Sequence, residues 1–63
     1  MVRARLASTG GDVDILRADR VPGLIVVQPV GWALTLAVHP SQLRPYGKAA
    51  RRRLSILTAT AGA

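Results

Sequence analysis

Prolines and glycines set the limit on what this chain can build. Pro22-Gly23, Pro29, Gly31, Pro40, Pro45 and Gly47 punctuate its 63 residues. Proline fixes φ and removes a backbone donor, and glycine accepts φ > 0, so each marks a turn after which regular structure must restart. Short strands suit such a chain, and the segments between the breaks read that way.

Val2, Ala4 and Leu6 share one face of a first strand, Val2 to Ala7, and Arg3 and Arg5 share the other. After Thr9-Gly10-Gly11, the run Asp12 to Arg17 alternates again, with Val13 and Ile15 inward and Asp12 and Asp14 outward. The pair reads as a hairpin whose outer faces carry opposite charge, worth a few tenths of a kcal/mol per cross-strand pair and enough to favour one register. Leu24-Ile25-Val26-Val27 is apolar on both faces and reads as a strand buried on two sides. Trp32 to Val38 alternates large with small residues and reads as the next strand, its small-residue face open to close packing. Pro40 to Pro45 allows one helical turn at most. Lys48 to Ala63 fits two patterns. As a helix it aligns Ala50, Leu54, Leu57 and Ala61; as a strand from Leu54 to Thr60 it aligns Leu54, Ile56, Thr58 and Thr60. A short helical or irregular Lys48 to Arg53 leading into that strand is the preferred reading.

Five short strands with one helical turn before the last predict a single all-β domain over residues 1–63, a small five-stranded barrel of SH3-like or OB-like type. The alternative is α+β, a four-stranded antiparallel sheet covered on its small-residue face by a C-terminal helix. Either leaves thin cover and an open edge. One chain of this length buries about 60% of its unfolded surface. Cysteine is absent and His39 is the single histidine, so neither a disulfide nor a metal cluster of thiolates and imidazoles supplies stability. Self-association or docking into a larger assembly is therefore expected, with Trp32, Leu34 and Leu36 as its interface.

Nine Lys and Arg against three Asp give a formal charge of +6. Eight of the nine are arginines, whose guanidinium forks onto phosphate or carboxylate. A hydrophobic share of 49% is too high for a disordered basic tail. Val21 to Leu43 carries no formal charge, but Gly23, Pro29, Gly31 and Pro40 interrupt it. Its cleanest stretch, Leu24 to Val38, falls short of the roughly 18 to 20 residues that span a bilayer as a helix, so a membrane location is not expected. Arg3 and Arg5 precede no apolar signal region, which points to the cytoplasm or to a particle assembled there.

The catalytic inventory is thin. Glu is absent, and Ser41, His39 and Asp19 lie in no nucleophile motif. Asp12 and Asp14 share a strand face with no third ligand at a useful spacing. No enzyme, cofactor or metal is expected. The strongest local signal is Arg44, Lys48, Arg51, Arg52 and Arg53, five cations in ten residues with Tyr46 among them. Such a segment can track a phosphate backbone while the tyrosine stacks on a base, or meet an acidic protein surface. The expectation is a basic binding or assembly module, with nucleic acid in a nucleoprotein or phage-like particle as first partner and a protein-docking virion subunit as alternative.

Arg20-Val21-Pro22-Gly23-Leu24-Ile25-Val26-Val27-Gln28 after Gly11-Asp12-Val13, with the later Leu36-Ala37-Val38-His39-Pro40-Ser41-Gln42-Leu43-Arg44-Pro45, resembles the first half of MazF/CcdB-type plasmid toxins. That resemblance implies an SH3-like barrel and, in the MazF branch, RNA cleavage, for which Arg20 and Ser41 stand nearest the family's motif positions. The chain departs from the pattern. Val21 separates Arg20 from Pro22 where the family has Arg-Pro, and Ser41 stands where a Thr-Ser pair belongs. The segment from Val27 to Trp32 is shorter, and the family's C-terminal half has no room. A shortened toxin acting on RNA is thus the third reading.

Overall fold

The computed structural model describes residues 2–61. Five strands, β1 (Arg3–Leu6), β2 (Asp12–Ala18), β3 (Ile25–Pro29), β4 (Leu36–Val38) and β5 (Leu43–Pro45), precede one helix, α1 (Gly47–Ala61). The strands pair antiparallel throughout, in the order β4-β3-β2-β1-β5. The architecture is therefore α+β, a sheet with one C-terminal helix. The closed all-β barrel is not formed, because β4 and β5 each pair on one side and not with each other. The sheet nonetheless curls. Strands about 4.8 Å apart would set the two edges of a flat five-stranded sheet roughly 19 Å apart. Val38 and Leu43 are joined through a 3-10 turn at Pro40–Gln42, which rises only about 2 Å per residue and cannot bridge that distance.

Alternation sorts the side chains. Ala4 and Leu6 of β1, Val13 and Ile15 of β2, Ile25 and Val27 of β3 and Leu43 of β5 form the core with Leu57 of α1. Arg3, Arg5 and Arg44 alternate to the opposite face. The hairpin has the register its charges favour, Arg3 opposite Asp14 and Arg5 opposite Asp12. Ile25, Val26 and Val27 are all buried, as a strand apolar on both faces requires.

Four expectations need correction. Trp32 to Thr35 is not strand, and β4 keeps only Leu36–Val38. In the register that pairs Val27 with Leu36, Pro29 would stand opposite Leu34 and has no N–H to offer the ladder. Gly31, at φ 85°, turns the chain there instead, and the Gln28 side-chain amide donates to the Trp32 carbonyl at 2.8 Å. Second, the fifth strand is Leu43–Pro45, lying on β1 with Leu43 opposite Leu6. Third, Leu54 to Thr60 is helix. Ala50 and Leu57 are buried and Leu54 packs on the core, while the Thr58 and Thr60 hydroxyls donate to the carbonyls four residues back at 2.7 and 3.0 Å. Those bonds satisfy β-branched residues inside a helix. Nor does α1 cover a small-residue face. Leu36 and Val38 pair with Val27 and Ile25 and so share the core face on which the helix lies. Residues 62 and 63 of the ambiguous terminal segment lie outside the described residues.

Candidate functional site

Pro45 closes β5, and Gly47, at φ 78°, swings the chain into α1. That corner divides the basic segment. Arg44 lies on the outer sheet face, opposite Arg5 of β1, whereas Lys48, Arg51, Arg52 and Arg53 lie on the helix, against the other face. The five cations do not form one patch.

On the sheet, like charges directly across a ladder repel, and both guanidinium groups are engaged elsewhere. Arg44 turns back to the Ser41 carbonyl at 2.6 Å and the Leu43 carbonyl at 3.3 Å. Arg5 donates to the Tyr46 hydroxyl at 3.1 Å, and that hydroxyl donates to Asp12 at 2.8 Å. The Arg5 guanidinium carbon lies 5.9 Å from the Tyr46 ring centroid. Tyr46 is thus tied into a chain from Arg5 to Asp12, with the Arg5 guanidinium beside its ring. Arg3 is held at 3.0 Å by Asp14, and Asp19 accepts from the Val21 N–H at 3.3 Å. All three carboxylates are occupied on the sheet and its connections.

On α1 nothing offsets the charge. The helix carries no acidic residue in its first turn, and among the described residues no carboxylate pairs with Lys48, Arg51, Arg52 or Arg53. Lys48, in the first turn, also opposes the helix macrodipole, whose N-terminal end bears about half a positive charge. Successive helical residues are about 100° apart, so Arg51, Arg52 and Arg53 fan around the axis instead of facing one way. Lys48, Arg52 and the 52% exposed Ile56, spaced four apart, form the outermost ridge. Arg51 and Ser55 complete a shallow groove of about 310 Å³ on one flank of that ridge. Val2, Ala49 and Arg53 complete one of about 400 Å³ on the other.

At the far end of the sheet, Leu6, Val13, Pro29, Val30, Trp32 and Leu36 line an apolar groove of about 450 Å³ beyond the reach of α1, with Asp12 at its rim. Trp32 is 61% exposed and Leu34 68%. Sequence reasoning placed these two and Leu36 at an interface; it missed Val30, and it missed Ile56 because the strand reading hid the four-residue spacing from Arg52. Arg5, expected with Arg3 to extend the basic surface, is brought to Tyr46 by the β1–β5 pairing.

His39 and Ser41 touch, Nδ1 to Oγ at 2.8 Å, but the same ring nitrogen accepts the Ser41 N–H at 3.2 Å. His39 thereby caps the 3-10 turn that contains Ser41, with Asp19 committed elsewhere. Among the described residues no three His or Asp side chains gather to hold a metal, and no helix is long and apolar enough to cross a membrane. No protein family, curated protein or solved structure matches this chain.

Proposed function

We propose that the protein is a non-enzymatic basic module whose helix α1 reads a polyanion, with the phosphate backbone of nucleic acid as the ligand and assembly into a nucleoprotein or phage-like particle as the setting. The observation that carries this reading is the set of four cations in the first half of α1 that, among the described residues, no carboxylate pairs with. The first of them, Lys48, also stands against the helix dipole, which supports a ligand for this surface. An extended anion suits them better than a single small one, since the Lys48 and Arg52 ridge has a groove on each flank. A phosphate strand lying in either groove meets three cations. The basic segment first considered as one reader is narrowed to its helical part, with Arg44 and Tyr46 left to the sheet.

The strand order, with a 3-10 turn before the last strand, also supports reading the sheet as an SH3-like meander left open, with α1 packed over its core. Fold alone carries no function. The ribonuclease reading gains no support from the geometry, because Ser41 lies inside the 3-10 turn with its hydroxyl and N–H both on the His39 ring.

Salt dependence tests the proposal. Binding to a labelled duplex should weaken steeply as salt rises, and each phosphate contact removed should lower the slope by about 0.9 on a duplex or 0.7 on a single strand. Lys48→Ala and Arg52→Ala should each do so; of Arg51→Ala and Arg53→Ala, the one on the occupied flank should do so and the other should not. Affinity independent of salt, or unchanged when Lys48 and Arg52 are both replaced, would refute the phosphate reading. Binding to acidic polypeptide in preference to nucleic acid would move the same surface to a protein partner.

A further inference from the structure

The sheet has two free edges of different make. β5 is Leu43-Arg44-Pro45, which presents a charge and a residue without an N–H, two devices that stop an edge from pairing with another chain. β4 is Leu36-Ala37-Val38 and has neither. Among the described residues no turn, loop or side-chain hydrogen bond reaches residues 33–38, so the backbone of β4 that faces away from β3 is open. Beside it stand the exposed Trp32 and Leu34 and the apolar groove. Every formal charge lies outside Val21 to Leu43, which leaves β3, β4 and the loop between them uncharged.

We propose that a second copy of this chain docks here, β4 pairing antiparallel with β4 across a twofold axis near Ala37, so that two five-stranded sheets become one. The edge is self-complementary. Antiparallel pairing about Ala37 sets Leu36 opposite Val38 of the second copy, and the reverse, on the face that carries the core. Electrostatics selects the same surface. Each copy carries +6, so contact through α1, β1 or β5 would press cations together, and the uncharged stretch is where two copies meet without that cost. A stable interface takes about 800 Å² from each partner, roughly a fifth of the 4234 Å² this chain exposes, which three residues of strand cannot supply, so the loop from Val30 to Thr35, with the exposed Trp32 and Leu34, must join the contact.

This inference does not rest on the polyanion reading, and its test contains no nucleic acid. Sedimentation across the micromolar range at raised salt should give a dimer that grows no further. Amide exchange at Leu36–Val38 should slow as concentration rises, and emission from the single tryptophan, Trp32, should shift to the blue. Leu34→Lys, at a site exposed enough to spare the monomer, should raise the dissociation constant by at least about tenfold, while Ile56→Lys on α1 should leave it unchanged. A monomer at every concentration, assemblies larger than two, or exchange at Leu36–Val38 that ignores concentration would overturn the proposal, the last without recourse to any variant.

Discussion

At β5 the sheet ends in Arg44-Pro45 and passes into a helix bearing four cations; at β4 it ends in Leu-Ala-Val beside an exposed tryptophan. The charged side is the better buried one. Leu43 seals against Leu6, and Ala50 and Leu57 bring α1 onto the core, so its cations stand on a firmly packed base. The uncharged side is thin, with Leu36 and Trp32 left partly in water. At the two edges of the sheet, charge therefore goes with the covered one and its absence with the one that ends without cover.

Substitutions that weigh one side against the other should show this. The largest contrast is in packing. Leu43→Ala should cost about 2–5 kcal/mol, enough to unfold a chain this small, whereas Leu36→Ala should cost about 1 kcal/mol or less in the monomer; equal losses in denaturant titration would erase the distinction. Next is Lys48→Glu. It reverses an unfavourable dipole interaction and places Glu four residues before Arg52, so thermal stability should rise by about 0.3–1 kcal/mol while affinity for duplex falls. A variant that loses stability and affinity together would mean that Lys48 serves the fold. The smallest effect belongs to the outer sheet face. A double-mutant cycle on Arg3 and Asp14 should return a coupling of about 0.2–1 kcal/mol that fades with salt, and a larger, salt-insensitive value would show that the charges of this face help to hold the sheet together.

The hairpin was legible because two signals agreed there, alternation and opposite charge, and both fixed the same register. β3 was legible from its β-branched run. The errors arose where one signal stood alone. Trp32 to Thr35 alternates like a strand, but Pro29, several residues earlier, denies the ladder its donor, and no pattern within the segment reports that. Leu43-Arg44-Pro45 is too short between two prolines to show any period. In the last segment Leu54 fits both a two-residue and a three-to-four-residue repeat, and only packing of Leu57 into the core of the sheet decides between Ile56 inward and Ile56 outward. The basic segment was visible as composition, yet its division by Pro45 and Gly47 between two faces, and the capture of Tyr46 by Arg5 and Asp12, depend on long-range pairing that composition does not encode.

The central claim is that the two sides act separately, cations on α1 for a polyanion and the β4 edge for a second copy. Sedimentation of the protein with a fluorescent duplex, read at two wavelengths for wild type, Lys48→Ala/Arg52→Ala and Leu34→Lys, tests it directly. The account predicts that the helix variant remains a dimer and leaves the duplex free, while the edge variant becomes a monomer that still binds duplex with the same salt dependence per chain. Loss of both properties in either variant, or of neither in both, would contradict it.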